Sequence, residues 1–154
     1  MTLIKKILVP IDFSDHSRAA FHQAEFLAGE IGASLTILHV IWEPPPYVGA
    51  EVMVKLPRGD SQTLNAYTRS VAAKRVAEFL EATEPQDKNK LQIEYAHGEA
   101  SAAIVDTAQE QDIDLIIMGT HGRTGLSHAL LGSIAEKVVR RAPCPVMTVR
   151  GTTG

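Results

Sequence analysis

The sequence predicts an α/β fold: a three-layer, doubly wound parallel sheet of five strands with helices on both faces. Three observations carry this. Short apolar runs alternate with helix-period segments along the chain, in the order β-α-β-α-β-α-β-α-β. Strict alternation of that kind builds a parallel sheet with right-handed crossovers. Most of the runs are apolar on both faces, as strands covered from both sides must be. The fourth run feeds a glycine-rich stretch, Gly119–Ala135 (GTHGRTGLSHALLGSIA), which opens the last helix.

The elements follow in order. Lys5–Val9 is a β-branched run ended by Pro10, with Asp12 just past its carboxyl end. Ser14 offers a helix N-cap, with Ser17 three residues on. Ala20, Ala24, Leu27 and Ile31 form a stripe at helical spacing, and Gly32 fits the position after the helix. Leu35–Ile41 (LTILHVI) is the second buried strand. Trp42–Asp60 carries Pro44, Pro45, Pro46, Gly49, Pro57 and Gly59 and reads as a long loop, which in a compact domain is usually functional or mobile. Ser61 caps a long helix to about Thr83, with Ala72, Val76, Phe79 and Leu80 inward. Pro85–Lys90 is a polar turn.

Leu91–Ala96 alternates, Leu91, Ile93 and Tyr95 against Gln92 and Glu94, as expected of an edge strand with one wetter face. Glu99–Gln111 is a short helix with Ile104 and Ala108 inward. Ile113–Met118 is a further buried strand. Ile134, Ala135, Val138, Val139 and Ala142 give the last helix its apolar stripe, and Pro143 stops it. Val146–Val149 is the last strand, and Gly151–Gly154 is expected to be a disordered tail. The chain reads as a single domain, 1–154.

Bulk properties narrow the function. The net charge is −3, so the molecule as a whole offers nucleic acid no attraction. The charge is uneven: residues 119–154 hold Arg123, Lys137, Arg140, Arg141 and Arg150 against Glu136, a balance of +4 that leaves −7 on the rest. A basic quarter within an acidic protein suits a small anion better than a duplex. One cysteine, Cys144, excludes an internal disulfide, and no apolar run is long enough for a signal or membrane segment. A cytoplasmic protein is expected, with no membrane partner.

In a doubly wound sheet, ligands bind beyond the strands' carboxyl ends, at the switch point in strand order. Pro10 and Asp12, Val40 and Ile41, and Gly119 onward all fall at such ends. A glycine loop that opens a helix can seat an anion, because glycines admit close approach and positive φ. The first amides of that helix, at Ser133, Ile134 and Ala135, have no intrahelical partner. The loop matches neither the P-loop nor the GxGxxG fingerprint.

The spacing Gly119-x-x-Gly122, nine residues, then Gly132-Ser133 resembles the nucleotide-binding signature of the universal stress proteins, G-2x-G-9x-G-S/T. The opening KKILVPIDFS, the strand LTILHVI, the segment IDLIIMGTHGRTGL and the ending RAPCPVMTVR resemble that family too. The resemblance implies a Rossmann-like fold of the adenine nucleotide α-hydrolase type, strand order 3-2-1-4-5. It implies ATP as ligand, with Mg2+ as an optional companion, and a homodimer paired through Val146–Val149. Pro10, Asp12 and Val40 would surround adenine and ribose, with Met118 and Gly119 lining the same cleft. His121, Gly122, Gly132, Ser133, Ile134 and Ala135 would hold phosphates. Ala135 departs from the pattern, since ATP-binding members often carry a hydroxyl there, and weaker binding is expected.

Several residues keep two readings. Asp12 either caps the first helix or meets a ribose or a metal-bridged phosphate. His121 contacts a phosphate or is merely exposed, and Arg123 screens phosphate charge or is solvated. His39 reads as a satisfied core residue, Lys137, Arg140 and Arg141 as a solvated face, and Cys144 as structural. Six histidines lack ligand spacing, so no metal cage is expected. The leading function is a cytosolic ATP-binding stress-response regulator with slow or no hydrolysis, since no general base or arginine finger is evident. The alternatives are a slow ATPase using Asp12 or His121, and a nucleotide-free dimeric adaptor.

Overall fold

A computed structural model describes residues 3–43, 52–121 and 130–151. Its elements are β1 (Lys6–Pro10), α1 (Asp15–Ile31), β2 (Ser34–Ile41), β3 (Met53–Lys55), β4 (Ser61–Thr63), α2 (Leu64–Thr83), β5 (Leu91–His97), α3 (Ala100–Glu110), β6 (Leu115–Gly119), α4 (Ser133–Arg141) and β7 (Val146–Val149). Five strands form one sheet in the order β5-β2-β1-β6-β7, every pair parallel. With the β3–β4 hairpin set aside, this is the expected 3-2-1-4-5 pattern. The chain leaves β1 toward β2 and returns to its other side at β6. Those neighbouring carboxyl ends are the switch point.

The strand period of two sends successive side chains to opposite faces. Ile7, Val9, Leu35, Ile37, Leu115 and Ile117 face α1 and α2, where Phe21, Ala24, Val76 and Phe79 close one core. Leu8, Leu38, Ile116 and Met118 face the other way and meet Ile104, Ala108, Ala135 and Val138 from α3 and α4. At roughly 25 cal/mol per Å2 of apolar surface, burial of this kind is the main term holding the layers together.

Ser14 caps α1, accepting from the Ser17 amide at 3.2 Å, and Gly32 ends the helix at φ 71°. The inward stripe of α1 is Ser17, Ala20, Phe21, Ala24 and Ala28. It is rotated from the one expected, so Leu27 is half-buried and Ile31 is exposed. Phe21 outweighs two smaller aliphatics because its ring meets Phe79 edge-on at 5.8 Å.

The long loop is not wholly irregular: Met53–Lys55 and Ser61–Thr63 pair antiparallel around Gly59, at φ 93°. Ser61 is therefore a strand residue, and the cap of α2 is Thr63, which accepts from Ala66 N at 3.2 Å. In α4 only Ala135 and Val138 are buried, while Ile134 and Val139 are exposed. On the edge strand β5, Ile93 and Tyr95 are exposed, since that strand has a neighbour on one side only. Gly151 is anchored by its amide to His16, and residues 152–154 lie outside the described part. No helix among the described residues is long and apolar enough to cross a membrane.

Candidate functional site: a cleft across the switch point

β1 ends at Pro10 and delivers Asp12 into a tight turn. Asp12 Oδ1 accepts from the amide and the hydroxyl of Ser14, the residue that caps α1. Asp12 is not itself the cap: it braces the capping Ser14, and it lines the cleft. Phe13, next in line, stands at φ 69°, a conformation that a bulky residue rarely adopts. Its ring is held by His39 at 4.6 Å and by the Arg75 guanidinium at 4.4 Å. His39 Nδ1 lies 3.1 Å from the Ile11 carbonyl oxygen; a carbonyl only accepts, so the ring donates from Nδ1. His39 is therefore satisfied, as expected, and also reaches the cleft wall.

The other half of the cleft begins where β6 ends. Gly119 lies flush against the first turn of α1: a Cβ there would come within 2.7 Å of His16 Cβ. Thr120, which the sequence reading passed over, is buried and is the junction of this region. Its amide donates to the Val149 carbonyl at 3.0 Å, and its carbonyl accepts from the Gly132 amide at 2.7 Å. Its hydroxyl lies 3.2 Å from His16 Nδ1 and 3.0 Å from His121 Nδ1. Gly132 stands at φ −62°, so it is glycine for closeness rather than for a left-handed turn. A Cβ on it would meet the Thr120 carbonyl oxygen at 2.8 Å, not the space of a ligand.

α4 starts at Ser133 without a side-chain cap, and its first turn leaves amides free of intrahelical partners. Helix dipole and amides together favour an anion there. Ala135 lines the cleft while its methyl belongs to the second core. His121 Nε2 is buried and has no hydrogen-bond partner among the described residues.

Together these elements enclose a cleft of about 630 Å3. Pro10, Asp12, Val40, Met118, Gly119, His121, Gly132, Ser133, Ile134 and Ala135 all line it. Gly122 and Arg123 lie outside the described residues. The sequence reading missed one whole wall: Tyr67, Thr68, Val71 and Arg75 of α2. The signal was present, since residues 67, 71 and 75 recur at four-residue spacing beside the core stripe of Ala72, Val76 and Phe79. The volume is that of an ordinary small-molecule site, apolar with a few polar groups converging.

At the rim, Glu99 caps α3 and takes hydrogen bonds from the Ser101 hydroxyl at 2.6 Å and the Ala102 amide at 2.9 Å. These bonds, the hydroxyl's first, hold its carboxyl below the ordinary carboxylate range. Lys137 of α4 lies 3.9 Å away, an exposed ion pair between the two helices.

Known proteins share this fold. The model of the universal stress protein family matches residues 3–150. A universal stress protein of Bacillus subtilis is 35% identical over 96% of this chain and 100% of its own length. Among solved structures, the universal stress protein UspA of Lactobacillus plantarum superposes with a TM-score of 0.70 at 26% identity, covering 97% of this chain and all of that one. A universal stress protein in complex with cAMP has the same fold at 22% identity and a TM-score of 0.66, covering 98% of this chain and 100% of its own. Another, from Archaeoglobus fulgidus in complex with dAMP, does so at 17% identity and 0.59, covering 96% of this chain and 99% of its own.

Proposed function

Because the chain belongs to the universal stress protein family, we propose that it is a cytoplasmic stress-response regulator that binds ATP in the switch-point cleft, with slow or no hydrolysis. The observation that carries the reading is the polarity of that one cleft. Aromatic and aliphatic side chains such as Tyr67, Val71 and Met118 line it together with the uncapped start of α4 and His121, whose Nε2 has no hydrogen-bond partner among the described residues. A flat base and a phosphate chain need that pairing of surfaces. The cAMP and dAMP complexes of fold neighbours support an adenine nucleotide as the class of ligand.

In this reading Pro10, Val40 and Met118 pack the adenine, Asp12 receives the ribose hydroxyls or a Mg2+ ion, and Gly119 lets the nucleotide approach the end of β6. His121, Gly132, Ser133, Ile134 and Ala135 receive the phosphates, joined by Gly122 and Arg123 of the glycine loop. Bound Mg2+ would supply charge neutralisation of the phosphates. Asp12 Oδ1 is committed to the Ser14 turn, which favours binding over its use as a base that activates water. Arg75 supplies positive charge from the α2 wall.

The free edge of the sheet supports a homodimer. β7 is the outer strand, and Met147 is exposed on it. Such an edge is ordinarily paired or covered, and two-fold pairing with a second copy does this. Native mass spectrometry of the purified protein tests both parts. The reading expects dimer mass and retention of added ATP; a monomer that retains no nucleotide would count against it.

A further inference from the structure

The hydrogen bonds around Thr120 have a direction, and that direction reaches His121. The Gly151 amide lies 2.8 Å from His16 Nδ1, and an amide N–H can only donate. His16 therefore carries its proton on Nε2 and presents a bare Nδ1. Thr120 Oγ1 lies 3.2 Å from that same nitrogen, which has no proton to give, so in this contact the hydroxyl is the donor and shares the Nδ1 lone pair with the amide. What remains on Thr120 is a lone pair, which faces His121 Nδ1 at 3.0 Å. His121 then donates from Nδ1, and its neutral ring leaves Nε2 without a proton. That nitrogen is buried and has no hydrogen-bond partner among the described residues.

A bare nitrogen repels an anionic oxygen. We infer that His16 is a positioning residue that acts through Thr120 to fix this tautomer, so that a phosphate group is received at His121 only together with one proton. The inference rests on the phosphate reading of the cleft. The proton comes from solvent and sits between Nε2 and the phosphate oxygen; no other bond forms or breaks. Phosphate binding then takes up about one proton at alkaline pH, and affinity falls about tenfold per pH unit there.

Among the described residues, the charged and titratable groups of the surrounding elements are these. His16 of α1 stands ring to ring at 5.2 Å, with Nδ1 already accepting. Asp12, His39 and Arg75 line the same cleft, and Glu136 lies in the first turn of α4. From β7 and the residues after it come the Val149 carbonyl, which accepts from the Thr120 amide, and the Gly151 amide, which donates to His16.

The test has two arms on the full chain. Nitrogen-15 NMR of the ligand-free protein at pH 8 reads the tautomers directly. Expected are Nδ1–H with bare Nε2 for His121 and the reverse for His16; Nε2–H on His121 would overturn the inference whether or not any nucleotide binds. Calorimetry with ATP in buffers of different ionisation enthalpy then counts protons. Uptake of about one proton per ATP at pH 8 is expected, with none for adenosine. Zero uptake for bound ATP would overturn the inference, whereas failure of ATP to bind at all sinks the nucleotide reading and leaves the NMR result to decide the tautomer. Thr120→Val keeps the shape and removes the relay, so it should free His121 to protonate at Nε2 and flatten the pH profile. His16→Phe should do the same, and His16→Asn, which restores an acceptor, should bring the dependence back. An unchanged profile in folded Thr120→Val would also overturn it.

Discussion

The Gly132 amide donates to the Thr120 carbonyl oxygen across 2.7 Å, joining the start of α4 to the end of β6. The two ends of the glycine-rich stretch are thereby clasped by the backbone itself. A Cβ on residue 132 would stand 2.8 Å from that oxygen, so the clasp requires glycine.

Gly132→Ala should therefore open the clasp. The loss of one backbone hydrogen bond, about 1 kcal/mol, corresponds to about fivefold weaker ATP binding if the loop must close to hold phosphate. Calorimetric titration beside a thermal melt checks this. Unaltered affinity in a folded variant would show that the clasp does not serve the ligand.

The cap of α2 offers a cleaner comparison. Thr63→Ala removes the acceptor of the Ala66 amide and should lower stability by about 1 kcal/mol. Ser61→Ala, in the hairpin strand, should stay within about 0.5 kcal/mol of the parent. Urea midpoints of the two variants measure the difference, and equal losses would contradict the assignment of the cap.

Acid should loosen the protein through two carboxyls. Asp114 accepts from the Lys5 and Lys6 amides at 2.8 and 3.0 Å, which hold its carboxyl below the ordinary range. Glu99 is lowered by its bonds at the start of α3, the Ser101 hydroxyl's first. A folded-state pKa below the unfolded one gives stability that is full above the unfolded value, about 4, and is lost as pH falls through the folded value. Stability should thus fall below about pH 4, and less steeply in Asp114→Asn, which should already be weaker at pH 7. Urea unfolding at the two pH values decides it; parallel curves for parent and variant would refute the role given to Asp114.

Cys144 should react slowly. It packs against the second core, and burial, the largest cause, raises its thiol pKa. At neutral pH it is then poorer in thiolate than an exposed cysteine. Alkylation by iodoacetamide, followed by mass spectrometry, should be slower than that of an unfolded control. Equal rates would contradict its burial.

The parallel sheet was legible because each central strand is apolar on both faces and each crossover has helical length, while its strand order came from the family resemblance. Ser14, Gly32 and Pro143 marked boundaries by local chemistry that tertiary contacts left intact. Rotation of the helices was less legible. Alanines at residues 20, 24 and 28 fit either stripe of α1, and only the Phe21–Phe79 contact, across distant parts of the chain, chooses between them. The glycine spacing pointed to the phosphate end of the cleft. Thr120 was missed because its importance lies in partners at residues 16, 132 and 149, which one sequence does not bring together. Arg75 was missed because a charged residue on a long helix reads as solvated unless its neighbour across space, Phe13, is known.

Calorimetric titration of ATP into nucleotide-free protein tests the central claim most directly. Saturable heat is predicted, weakened by Gly132→Ala. No heat at millimolar ATP from folded protein would contradict an ATP site in this cleft.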